Sequence, residues 1–302
     1  RDGIFVLNKE EKRLAIKAYS ELLVSNKKLA RFVPASGAAS RMFASIRGEM
    51  SEEVVNALAL NGHHLPMLQK KKYGSLDAAN RATSMVHDLL ASEPGWTNFP
   101  KGLVPFHRYP GGDTRTPFEE HAHEWHALAP GRRLHFTVPS NSLNQIRELL
   151  ERKGLNQIDF SIQSNETDTM ALDLESMRLA RDAQDQLLFR PGGHGALLPN
   201  LNAMKMDFVF IRNIDNVVPK HRMAARNKVQ RWMGGEAYRL TQERNALVDS
   251  IKQGSQDALK RASAWLDGFS RDAQKRTRDQ LLDALERPIR VAGMVPNEGN
   301  AG

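Results

Sequence analysis

Phe32-Val33-Pro34-Ala35-Ser36-Gly37-Ala38-Ala39-Ser40-Arg41-Met42 is the stretch whose reading decides the fold. The apolar run from Phe32 to Ala35 reads as a short buried strand. The small residues after it let backbone N–H groups come close to a ligand. From Ser40 to about Met50 a helix is expected, with its N-terminus facing the same ligand and favouring negative charge there. Arg41 stands where a guanidinium can take phosphate oxygens in pairs. The spacing is neither a Walker loop nor G-x-G-x-x-G, so this stretch alone fits a tight strand–helix turn equally well.

Working outward, the same alternation recurs. Leu134–Val138 is β-branched and alternating, and reads as a strand. Asn141–Lys153 reads as a helix ended by Gly154, and Ile158–Ile162 as another strand. Asp207–Ile211 is the clearest buried strand, and Ile289–Val291 a last short one. Residues 9–30 have helical spacing, and 51–95 are largely helical with turn signals at Asn61-Gly62, Tyr73-Gly74 and Glu93-Pro94-Gly95. Thr116 can cap a helix with Pro117 first and Glu119 third. Residues 220–286 read as helices with a break near Gly254. The pattern argues for an α/β protein with a mostly parallel sheet. The expected organisation is a helical segment over 1–30, an α/β domain over 31–219 with 51–95 as a helical insertion, and a helical segment over 220–302 ending in a strand. The chain opens at Arg1 and ends in an unfinished loop, so a piece of a longer protein is expected.

Composition narrows the partners. The 302 residues contain no cysteine, which excludes disulfides, thiolate catalysis and Cys-ligated zinc. No apolar run reaches the roughly 18 residues that span a bilayer. No apolar h-region opens the sequence, so a secretory signal is not expected. A cytoplasmic protein without a membrane partner is expected. The net charge of +8 favours anionic partners. Much of the excess lies in 220–290, for example Lys220, Arg222, Arg226, Lys228, Arg231, Lys260, Arg261 and Arg276. Interleaved Asp and Glu make these mainly solvated faces, and no aromatic-interleaved stripe marks a nucleic-acid reader.

Three further stretches carry chemistry. Lys101 follows Pro100 and precedes an apolar run, which puts an ammonium at the mouth of a strand. Gly192-Gly193-His194-Gly195 precedes a helical run beginning at Ala196, so backbone and helix start both face a ligand. Asp215 follows the strand that leads through Ile211, where open α/β sheets bind ligands. A hard carboxylate there suits Mg²⁺, with Asn213 and Asn216 as polar companions. His121-Ala-His123-Glu-Trp-His126 resembles a metal cluster, but on a helix 121 and 123 point about 200° apart and cannot share an ion.

With these residues in view, the chain resembles the sugar-1-phosphate nucleotidyltransferase superfamily. Ala35, Gly37, Ser40, Arg41 and Met42 match its A-x-G-x-G-T-R-M loop, with Ser40 for Thr and Ala39 for the second glycine. Pro100-Lys101-Gly102-Leu103-Val104-Pro105 and Thr116-Pro117-Phe118-Glu119 match its next two segments. Pro191–Gly195 and the run Asn213-Ile214-Asp215-Asn216 resemble the UDP-sugar pyrophosphorylase branch. The chain is also similar to an uncharacterised bacterial family described only as a domain of unknown function. The resemblance implies a Rossmann-like, GT-A-like sheet flanked by helices. It implies a reaction in which an NTP, UTP favoured, and a sugar 1-phosphate give an NDP-sugar and pyrophosphate. It assigns Arg41, Lys101 and Asp215 as catalytic, with Asp215 on the metal. Ala35, Ser36, Gly37, Ala38, Ala39 and Ser40 would contact phosphates. Gly192, Gly193, His194, Gly195, Asn213 and Asn216 would contact base or ribose. Two other readings stay open: a nucleotide or nucleotide-sugar binding protein without turnover, and a basic nucleic-acid-binding protein using the 220–290 helices.

Overall fold

A computed structural model of the chain describes residues 4–295, apart from 38, 40–41, 47–48, 69–72, 74–75, 91–95, 97–98 and 270–274. The elements follow in order as α1 (Lys9–Val24), β1 (Leu29–Pro34), α2 (Glu52–Asn61), α3 (Ala78–Leu90), β2 (His107–Arg108) and β3 (Thr114–Arg115). Next come α4 (Pro117–Leu128), β4 (Arg133–Val138), α5 (Leu143–Arg152) and β5 (Ile158–Ile162). Four two-residue strands follow: β6 (Thr169–Met170), β7 (Leu172–Asp173), β8 (Arg178–Leu179) and β9 (Phe189–Arg190). The chain closes with α6 (Leu198–Ala203), β10 (Phe208–Ile211), α7 (Lys220–Lys252), α8 (Gln256–Asp267) and α9 (Arg278–Glu286). It divides into two compact units, one of residues 28–223 and one of 1–27 with 224–302.

The larger unit is built on a four-stranded parallel sheet in the order β10-β1-β4-β5. β1 lies between two neighbours and is buried along its whole length. α4 covers one face: Phe118 packs edge-on to Phe136 at 4.8 Å, and Trp125 lies 5.5 Å from Phe210. Its start is held by a reciprocal cap, in which the Thr116 N–H donates to Glu119 Oε2 at 2.8 Å and Thr116 Oγ1 accepts from the Glu119 N–H. Gly102 lies against the same helix. A Cβ there would stand 2.4 Å from a carbon of the fully buried Phe118 ring. Gly102→Ala is therefore expected to lose about 1–3 kcal/mol of stability in urea unfolding; a change under about 0.5 kcal/mol would contradict this contact.

The helical unit packs α7, α8 and α9 through Leu247, Ile251, Ala258, Ala262, Leu281 and Leu285. α1 belongs to it, and Gly235 of α7 lets the Ala15 backbone come so close that a Cβ would overlap it.

Several expectations need correcting. α1 stops at Val24, and Leu29 and Ala30 already belong to β1. In place of a helix from Ser40 to Met50, the described residues there hold one 3₁₀ turn, Ala44–Ile46. β10 is an edge strand, half-buried rather than buried. Residues 289–291 are irregular, and pair with no strand among the described residues. Among those residues no helix is long and apolar enough to cross a membrane.

Candidate functional site

Because all four sheet strands run the same way, the residues that follow them emerge at one edge. Residues 35–37 follow β1, Gln163 follows β5 and Asn213–Asn216 follow β10. That edge is where open α/β sheets take ligands.

The sequence-distant stretches meet there. Lys101 Nζ lies 2.6 Å from Asp215 Oδ2, across 114 residues of chain. The Lys101 N–H donates to Gly37 O at 3.1 Å, which ties the lysine segment to the loop after β1. Ser36 Oγ donates to Gln163 Oε1 at 2.8 Å, and Gln163 Nε2 donates to Gly192 O at 3.1 Å. Gln163 thus clips the β1 loop to the Gly-rich turn. Gly192 must be glycine here, because a Cβ would stand 2.6 Å from Thr167 O. Burial opposes ionisation of Asp215, yet the Lys101 hydrogen bond and charge, with a smaller effect of His194, hold its carboxyl below the usual range.

Those proposed contacts that fall among the described residues have definite places. Ala35 and Ala39 are buried, and their N–H groups donate to Thr137 O at 2.8 Å and Phe99 O at 2.9 Å. Ala39 sits in an apolar cluster with Phe43, Ile46, Leu68, Met85, Leu89 and Val104. Among the described residues of the loop, Ser36 is half-buried and Gly37 exposed. Arg41, Ala38 and Ser40 lie outside the described residues. Gly193, His194 and Gly195 are exposed. The helix expected from Ala196 is preceded by a 3₁₀ turn, His194–Leu197, and α6 has only six residues. Asn213 and Asn216 are exposed on the turn that carries Asp215, and the Asn216 N–H donates to Asn213 O at 3.0 Å. Among the described residues no three His, Asp or Glu side chains gather as metal ligands.

Beneath Asp215 lies a residue whose role was not foreseen. His121 Nε2 is 3.1 Å from both Asn213 O and Ile214 O, so as the N–H it donates to the turn bearing Asp215. Its ring is fully buried, and Nδ1 has no hydrogen-bond partner. The signal was present, since Phe118, Ala122 and Trp125 place 121 on the apolar face of α4. His126 instead reaches Asn156 O. Gln163 was also missed, although it directly follows a strand that was read correctly.

Burial, then the charges of Arg31 and Arg212, push His121 well below the usual histidine pKa. The folded protein refuses a proton that the unfolded chain accepts. Its contribution to stability is therefore full above about pH 6.5 and declines below it, by about 1.4 kcal/mol per pH unit for one such group. His123 and His135, also lowered by burial, add to the same limb. His121→Gln should flatten the acid limb of urea stability between pH 7.5 and 5; an unchanged slope would contradict it.

Two surface cavities of about 300 and 320 Å³ lie at the opposite edge of the sheet, around Asn156 and Gln157 before β5. They share no residue with the site above.

A family model described as Domain of unknown function (DUF4301) matches residues 1–70 and 63–302. No curated protein matches the chain.

Proposed function

The chain belongs to the DUF4301 family of uncharacterised domains, and we propose that it is a nucleotidyltransferase joining an NTP to a sugar 1-phosphate with release of pyrophosphate. The observation that carries this reading is the convergence of Lys101, Asp215, the 36–37 loop and the 192–195 turn at the carboxyl edge of a parallel sheet. The strand order supports it. Counted from β5 inward, the strands come third, second, first and fourth along the chain, which is how doubly wound nucleotide-binding sheets begin.

In this reading a sugar-phosphate oxygen bonds to the α-phosphorus while the bond from that phosphorus to the bridging oxygen breaks. Pyrophosphate leaves with the electron pair. Lys101 stabilises negative charge near the α-phosphate, and the exposed loops position base and ribose, with UTP the favoured nucleotide. An open carboxylate, with no ligand cluster beside it among the described residues, fits Mg²⁺ that arrives on phosphates. Asp215 would hold that ion, which supplies charge neutralisation to the phosphates. Arg41 remains part of the proposal on its sequence match alone.

One observation favours a protein that binds without turnover: the Ala35 and Ala39 N–H groups already serve backbone acceptors. Incubation with each NTP, a panel of sugar 1-phosphates and Mg²⁺, read by pyrophosphate release, separates the two. Release with one pair supports the enzyme; binding of a nucleotide without release supports the second reading.

A further inference from the structure

We infer that the site is latched by its own ion pair: Lys101 and Asp215 neutralise each other in the resting protein, so a divalent cation and a polyphosphate are admitted together far better than either alone. The inference rests on the reading of this edge as a phosphate site. The pair is close, at 2.6 Å, and its side chains are 25 % and 43 % exposed, so incoming ions can reach both.

The contact is preset rather than a chance meeting of two long side chains. The base of Lys101 is held by its N–H bond to Gly37 O, and the next residue, Gly102, packs against Phe118. The base of Asp215 is held by the buried Ile214, whose carbonyl accepts from His121.

A free polyphosphate drawn to Lys101 meets the Asp215 carboxylate at the same point. A free cation drawn to Asp215 meets the Lys101 ammonium. Either alone must break the ion pair and sit beside a like charge. Together they replace one ion pair with two, ammonium to phosphate and carboxylate to cation. With no ligand cluster among the described residues, the cation's other ligands come from the phosphates. By linkage, each ligand raises the affinity for the other by the same factor.

Calorimetric titration of the full chain with inorganic tripolyphosphate, in EDTA or in Mg²⁺, tests the latch. Wild type should bind tripolyphosphate at least about ten-fold more tightly with Mg²⁺, a coupling of about 1.4 kcal/mol. Asp215→Asn should bind the metal-free anion more tightly than wild type does, and lose the Mg²⁺ advantage. Lys101→Met should bind Mg²⁺ alone more tightly than wild type. Equal binding of metal-free tripolyphosphate by wild type and Asp215→Asn overturns the latch while leaving a phosphate site. Absence of binding in every arm overturns the phosphate-site reading and the latch with it.

Discussion

Lys101→Ala and Asp215→Ala are each expected to lower the rate of pyrophosphate release by on the order of 10²–10³, with little change in stability. Lys101 is the ammonium aimed at the sheet edge, and Asp215 the carboxylate beside it. Removal of a preorganised charge costs most where that charge acts on the transition state. The cost to folding should be small, because an ion pair with an Asp side chain 43 % exposed is strongly screened. Circular dichroism and thermal midpoints close to wild type, with turnover lost, are the expected pattern. Near-wild-type turnover in either variant would remove the residue from the reaction.

The largest effect on stability is expected a layer deeper. Arg31 of β1 and Glu124 of α4 form an ion pair at 2.9 Å with side chains 0 % and 3 % exposed. Arg31 also lies 4.9 Å over the Trp125 ring. Glu124→Ala would leave the guanidinium in the core without that carboxylate, and would remove the negative charge that acts on Arg212. A loss of about 3–5 kcal/mol in unfolding free energy is expected. Arg31→Met with Glu124→Leu removes both charges and keeps apolar volume, so the double variant should lose much less than the two single losses added together. If Glu124→Ala unfolds within about 1 kcal/mol of wild type, the pair is not the clamp between β1 and α4 that its burial implies.

The elements legible in the sequence were those whose local signals agree with their surroundings. β5 spans Ile158–Ile162 as read, and the Thr116 cap forms with Pro117 and Glu119 in their expected places. Gly154 at φ 66° ends α5, and Gly254 at φ 88° breaks the helices where expected. Errors arose where a short pattern serves two structures. Leu29 and Ala30 fit the helical phase of α1, yet β1 takes them because it has a partner strand on each side. Phe208–Ile211 reads as fully apolar, but an edge position leaves it half-buried. Ile289–Val291 has strand composition and pairs with nothing among the described residues.

The site was legible as separate positions, not as contacts. A basic residue before an apolar run and an acid after a strand can be read from the chain. Their meeting cannot, because 114 residues separate Lys101 from Asp215. Gln163 and His121 connect the parts through hydrogen bonds that no local pattern encodes. From its residues alone the loop after β1 fits a ligand loop and a tight turn equally well, and the resemblance implies phosphate contacts from Ala35 to Ser40. The structure directs Ala35 and Ala39 inward and leaves Ser36 half-buried and Gly37 exposed, since the chain must also close the apolar cluster around Phe43 and Leu68.

The most direct test of the central claim is a thermal-shift screen of the full chain with Mg²⁺ and a panel of NTPs and NDP-sugars. A nucleotide at 100 times its Kd should stabilise the protein by about 2.7 kcal/mol. An upward shift with one NTP and with its own sugar conjugate, lost in Lys101→Ala, is expected. No shift with any nucleotide, or an equal shift in Lys101→Ala, would contradict a nucleotide site at this edge of the sheet.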